Sequence, residues 1–167
     1  LRRLSSKMNR TIAPDVNFEP EFVARLTTLF EELIVFNRTL GLRITEIAPA
    51  RAAARIEMRP ELIGHFTHRR LHGGVISASL DAMGGIAVLA AIGARHMSES
   101  IDARMARFGK LGTIDLRVDY LRPGLGQQFS ARAEVMRLGS RVASTRMEFL
   151  DAEGRLLSMG SATYMVS

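Results

Sequence analysis

Leu71-His72-Gly73-Gly74-Val75-Ile76-Ser77-Ala78-Ser79-Leu80-Asp81 opens an apolar run that continues to Ala94. Read as one helix from Gly73 to about Gly93, the run is roughly 30 Å long at 1.5 Å per residue. Gly, Ala, Ser, Val, Ile, Leu and Met occupy every side of it, and Asp81 is its single charge. A helix without a polar face belongs in a core. The run is also long enough to span a bilayer. However, a central Asp costs about 2.5–3.5 kcal/mol on insertion scales, which weakly hydrophobic Gly and Ala do not offset. The expectation is therefore a buried helix, with no membrane partner.

Working outward, residues 94–110 read as a polar, charged loop. Four strands follow at Thr113–Leu121, Gln128–Arg137, Arg141–Leu150 and Arg155–Met165. In the first, Ile114, Leu116, Val118 and Tyr120 alternate with Thr113, Asp115, Arg117 and Asp119. Turns at Pro123–Gly124, Leu138–Gly139–Ser140 and Asp151–Gly154 predict a meander. On the N-terminal side, residues 59–71 read as a polar loop rich in His and Arg. Two short strands precede it, around Leu42–Ile47 and Ala52–Met58, with Pro49 at their turn. Before them, Phe22, Leu26, Leu29, Phe30, Leu33 and Ile34 make a helical stripe from Glu19 to about Leu40, which Gly41 can cap.

The order is helix, two strands, long helix, four strands. Short connections imply antiparallel pairing, so the class is α+β and not doubly wound. A five- to six-stranded sheet wrapped around one long helix satisfies both patterns. Residues 1–18 read as a mobile N-terminal arm and 19–167 as one domain, with no repeat or linker.

The chain has 167 residues and no cysteine, which excludes disulfides, thiolate chemistry and Cys-ligated metal. The first ten residues are basic but lack the apolar core of a signal peptide. A cytoplasmic location is expected. The net charge of +6 comes almost wholly from arginine, but these arginines are scattered and only 6% of residues are aromatic. Nucleic-acid binding would call for a clustered basic stripe with interleaved aromatics, so no nucleic-acid partner is expected.

Chemistry concentrates at 71–81. Paired glycines at a helix start leave backbone N–H groups unshielded at the positive end of the dipole, where they can hold an anion or a carbonyl oxygen becoming one. Asp81 lies on an otherwise uncharged helix, where a solitary carboxylate is costly unless it is paired, wet or functional. Gly73 and Asp81 are eight residues apart, hence about 12 Å along the axis. A reacting carbonyl must lie within about 3–3.5 Å of its nucleophile. One chain cannot easily supply both groups to one substrate, which points to a twofold dimer sharing its sites.

These residues carry a family resemblance. LHGGVISASLD at 71–81, TIDLRVDYLRPG at 113–124 and VMRLGSRVA at 135–143 resemble the hotdog-fold acyl-CoA thioesterases, the phenylacetate-pathway and small acyl-CoA thioesterase group, over about residues 19–167. The resemblance implies an α+β hotdog fold with an N-terminal helix, and hydrolysis of an acyl-CoA thioester. It implies that Asp81 acts as base or nucleophile, that the Gly73 amide, with Gly74, polarises the carbonyl, and that His72 orients that loop. Thr113 would position the water and Tyr120 would line the pantetheine channel. Arg137, Leu138, Gly139, Ser140, Arg141 and Val142 would meet the nucleotide end of coenzyme A, the two arginines on its phosphates. No metal and no separate cofactor are implied, since coenzyme A is part of the substrate. A homodimer, or a dimer of dimers, is implied. The family commonly carries an Asn shortly before the His-Gly-Gly motif, and here His65 is the nearest candidate. A non-catalytic acyl-CoA binding module and an enoyl-thioester hydratase remain open alternatives. The latter needs an acid/base pair on adjacent carbons.

Overall fold

Alternation along the strands places small apolar side chains on one face of the sheet, and those side chains decide where the central helix lies. The computed structural model describes residues 16–167. Helix α3 (Gly73–Arg95) is buried along most of its length, with Leu80, Met83, Ile86, Ala87, Val88 and Ala90 fully enclosed. Ala52, Ala54 and Ile56 of β2 (Arg51–Glu57) face it. So do Phe129, Ala131 and Val135 of β6 (Gln128–Leu138), and Met147 and Phe149 of β7 (Val142–Asp151). Alanines at facing positions let the sheet curl closely around the helix. The helix is apolar and long enough to pass for a membrane span, yet 78% of its most apolar stretch is buried within the fold.

Six strands form the sheet in the order β1-β2-β6-β7-β8-β5, all antiparallel, where β1 is Arg43–Ala48, β5 is Gly112–Tyr120 and β8 is Leu156–Met165. This corrects one expectation. Only β6, β7 and β8 form a meander, while β5 pairs with β8 and not with its sequence neighbour β6. The Leu121–Gln127 connection is no hairpin. It crosses near the start of α3, where the Leu71 N–H donates to the Gly124 carbonyl at 2.9 Å and the Met58 N–H to Gln127 at 2.8 Å. The bonds that would close a hairpin are made to other segments.

Both expected loops hold structure. Within 59–71 lie a 3₁₀ turn and a small hairpin, β3 (Ile63–His65) with β4 (Arg70–Leu71). Within 94–110, α4 (Ile101–Ala106) starts at the Ser100 hydroxyl, which accepts from the Ala103 N–H, and a 3₁₀ turn follows. Arg104 of α4 is buried, pairs with Glu19 at 2.6 Å and lies over the Phe22 ring. That pairing satisfies a charge which polar-loop reasoning would leave in water.

The N-terminal helix is not continuous. It consists of α1 (Pro20–Thr28), a π-helical turn (Leu29–Leu33), and α2 (Val35–Leu40), with Ile34 extended between them. Four successive apolar residues, Leu33 to Phe36, cannot all face one core from a straight helix. The break turns Ile34 inward and leaves Leu33, Val35 and Phe36 exposed, with Phe36 at the rim of a cleft beside α3. Gly41 caps α2 in the left-handed region, as its position suggested. The expected arm over 1–18 falls mainly on residues outside those described; Phe18 packs on the Phe22 ring at 5.1 Å.

Candidate active site

Helix α3 carries two polar constellations. At its start His72 is the N-cap, and its Nδ1 accepts the Gly74 N–H at 2.8 Å. That bond requires a neutral His72 protonated on Nε2. His72 thus orients the loop by closing it, and the Gly74 amide is consumed in doing so. The Gly73 N–H has no partner among the described residues and is the donor left pointing outward. Tyr120 of β5 donates its hydroxyl to the Gly73 carbonyl at 3.0 Å, fixing the same turn from the sheet side. Gly73 and Tyr120 line a hollow of about 370 Å³ with Arg70, Ile76, Arg122 and Gly124.

Two turns on, the half-buried Asp81 is held by two hydroxyls. Thr113 Oγ1 donates to Asp81 Oδ1 at 2.9 Å. The Tyr164 hydroxyl lies 2.9 Å from the Asp81 carbonyl oxygen and 3.2 Å from Oδ1. Both side chains reach the same carboxylate oxygen, and among the described residues Oδ2 has no partner. Burial, followed by the charge of Asp81, pushes the Tyr164 phenol well above its ordinary value, so it remains a proton donor. Tyr164 can reach Asp81 because residue 84 is glycine: a Cβ there would lie far inside contact distance of the Tyr164 hydroxyl. Asp81, Thr113 and Tyr164 open onto a cleft of about 270 Å³ lined by Phe30, Ile34, Phe36 and Asn37 and by Phe108 and Leu111, with the Phe30 and Phe108 rings edge to face at 6.1 Å.

Sequence reasoning missed two polar residues of this cleft. Tyr164 shares the inward parity of Ser158 and Ala162 in the last strand, and its phenol is the polar tip that reaches Asp81. Asn37 is 5% exposed and follows Phe30 and Ile34 at helical spacing, a polar residue on the apolar face. Its carboxamide makes no hydrogen bond among the described residues, and it faces the same cleft as Asp81.

The other predicted residues fall into two places. His65 lies on β3 beside the start of α3: a Cβ at the neighbouring Gly64 would sit 2.7 Å from the His72 Cα. The His65 ring stacks on His68, its Nδ1 is buried without a partner among the described residues, and it does not line the Asp81 cleft. Arg137 and Arg141 are exposed at the β6–β7 turn, flanking Leu138, Gly139 and Ser140. The turn is closed by Gly139 N–H to the Val142 carbonyl at 2.9 Å, and Arg95 at the end of α3 grips it through the Leu138 and Gly139 carbonyls. Sheet register decides its distance from the carboxylate. Ala143, Tyr164 and Thr113 form one row across β7, β8 and β5. Two strand spacings, about 10 Å, therefore separate the root of the turn from Thr113.

Gly73 and Asp81 remain two turns apart on one unbroken helix. Strand β5 is a sheet edge, and Ile114 and Tyr120 on it are more than half exposed. A further hollow on the outer sheet face is lined by charged side chains, among them Arg132 and Arg146, which both bond Glu148.

A family model of the thioesterase superfamily matches residues 68–158. The chain is similar to the medium/long-chain acyl-CoA thioesterase YigI of Salmonella typhimurium, with 39% identity over 78% of this chain and 84% of the relative. The YigI protein of Escherichia coli K12 is 38% identical over the same shares. Among solved structures, a thioesterase-superfamily protein from Shewanella oneidensis superposes with a TM-score of 0.83 at 39% identity, covering 88% of this chain and 96% of the other.

Proposed function

The chain belongs to the thioesterase superfamily, and from that premise we propose that it hydrolyses acyl-coenzyme A thioesters of medium to long chain at sites shared between two copies. Asp81 is the general base. The observation that carries this role is the pair of hydroxyls on one carboxylate oxygen: Thr113 and Tyr164 hold Oδ1, and Oδ2 faces the cleft with no protein partner among the described residues. A water bonded to Oδ2 gives up a proton as its oxygen bonds to the thioester carbonyl carbon. The developing oxyanion is met by the Gly73 N–H at the start of α3 in a second copy, where backbone and dipole favour negative charge. Collapse of the intermediate breaks the C–S bond. The departing thiolate takes the proton from Asp81, leaving free acid and coenzyme A.

Axial spacing is why the second copy is needed. About 12 Å along α3 separates Gly73 from Asp81, four times the reach of a reacting pair. Two copies joined at the β5 edges, with their α3 helices antiparallel, would bring each Asp81 to the other's Gly73, giving two equivalent sites. Tyr120 would line the pantetheine channel beside Gly73, and Arg137 and Arg141 would hold the phosphates of the nucleotide. Mixing the protein with acyl-CoA and following free thiol release tests the reaction. Thiol release by the wild type, and release slowed by on the order of 100-fold or more in Asp81→Asn, is the expected result. Equal rates from both would remove Asp81 from the mechanism.

A further inference from the structure

The cleft beside Asp81 has a mostly apolar lining. Beyond the carboxylate its walls are Phe30, Phe108 and Leu111, and its floor is Gly85, one helical turn after Asp81 on the same face of α3. Three glycines of this helix show why that position is unusual. A Cβ on Gly84 would overlap the Tyr164 hydroxyl, and one on Gly93 would lie 2.5 Å from Phe22 Cζ, so packing demands glycine at both. At Gly85 the nearest atoms to an added Cβ are Leu111 Cδ2 at 3.6 Å and Phe30 Cε1 at 3.8 Å, ordinary contact distances. Its backbone is helical and its φ is not positive, so conformation does not demand glycine there either. Glycine in a helix interior is destabilising relative to alanine. This one borders the cleft, where a side chain would narrow the space beside Leu111 and Phe30.

We propose that Gly85 sets the acyl length this enzyme accepts, an inference that rests on the thioesterase reading above. The chain of the substrate leaves Asp81, crosses Gly85 between Phe30 and Leu111, and ends towards Phe108. Gly85 lies about 6 Å from Asp81 along the helix axis, so an acyl group of a few carbons stops short of it and a longer one passes over it. The cleft volume of about 270 Å³ corresponds to about nine water-sized groups of roughly 30 Å³. That is room for a medium-length unbranched chain with its far end directed out of the cleft.

The test compares kcat/KM for butanoyl-, octanoyl- and hexadecanoyl-CoA in the wild type, Gly85→Ala, Gly85→Leu and Gly109→Leu. Gly109 has open space around its missing Cβ and serves as the control. In Gly85→Leu the hexadecanoyl-to-butanoyl ratio should fall by at least about tenfold, the scale on which pockets discriminate methylenes. Gly85→Ala should shift it in the same direction by less, and Gly109→Leu should leave it unmoved. Calorimetric binding of hexadecanoyl-CoA to Asp81→Asn, with and without Gly85→Leu, reads the groove without turnover, and binding should weaken when Leu is present. Thermal melting shows which variants fold, and Gly85→Ala carries the test if the Leu variant does not. An unchanged ratio, or an equal loss for all three substrates, would overturn the proposal while leaving the hydrolase reading standing. Absence of hydrolysis by the wild type would sink the hydrolase reading, and the binding comparison would still decide the groove.

Discussion

The two ends of the reactive stretch of α3 are built in opposite ways. At Gly73 the useful group is backbone, an N–H exposed because the next residue is also glycine and because His72 caps the turn through Gly74. At Asp81 it is a side chain, half-buried and clamped on one oxygen by Thr113 and Tyr164 from two neighbouring strands. A helix terminus offers donors that need only to be left uncovered. A carboxylate in an apolar helix needs partners brought from elsewhere. The first end is therefore local in sequence, and the second is assembled from residues 32 and 83 positions away. In the proposed reaction each end needs the other, and they sit on one helix.

The largest effect should come from breaking the assembled end. Asp81→Asn keeps shape and hydrogen-bonding capacity but removes the base, and kcat for acyl-CoA should fall by on the order of 100-fold or more while the protein still binds the substrate. Steady-state thiol release together with calorimetry checks both halves of that statement. Retained turnover would show that the clamped carboxylate is structural.

Mixing tests whether the two ends meet across copies. Asp81→Asn and a bulky replacement of Gly73, such as Gly73→Val, should each be inactive alone. After subunit exchange, random pairing makes about half the dimers hetero, each with one intact site, so activity should return to about a quarter of wild type. Exchange confirmed by mass spectrometry with no recovered activity would confine the chemistry to one chain.

Thr113 separates positioning from packing at the assembled end. Thr113→Val keeps the volume and removes the donor to Oδ1. A loss of about tenfold in kcat is expected, the kinetic equivalent of about 1.4 kcal/mol, with KM little changed and Thr113→Ser restoring most of it. Loss of stability with no kinetic effect would make Thr113 a packing residue.

A smaller effect is expected at the β6–β7 turn, about 10 Å from the clamp by strand spacing. Replacing Arg137 and Arg141 together by Ala should raise KM several-fold with kcat nearly unchanged, and should flatten the dependence of KM on ionic strength. An unaltered salt response would place the nucleotide elsewhere.

The smallest effect is thermodynamic. Tyr164 ionises with more difficulty in the folded chain than in the unfolded one, because of burial and then the Asp81 charge. Its contribution to stability is fully present below about pH 10, the ordinary value for tyrosine, and is lost as pH rises above that. Melting temperature should therefore fall more steeply above pH 10 in the wild type than in Tyr164→Phe. Parallel curves would mean that the phenol is not held protonated by its site.

Residues 71–81 determined much of this protein by themselves. A helix apolar on every side has to be a core, and a polar cap followed by two glycines has to leave a donor bare, whatever surrounds them. The alternation of Ala52, Ala54 and Ile56, or of Ala131, Ala133 and Val135, likewise carries its own statement about which face is inward. What tertiary structure alone decided is contact between distant segments. The apolar pattern of β5 is the same whether it pairs with β6 or with β8, and only the packed sheet chose β8. That choice aligned Thr113 with Tyr164 beneath Asp81. Arg104 reads as exposed until its Glu19 partner is in place, and the cleft that Asn37 faces exists only in the packed fold. Local sequence specifies periodicity and caps because these act over one or two turns. It does not specify which of two equally apolar surfaces meet, because that is settled by shape and volume across the whole core.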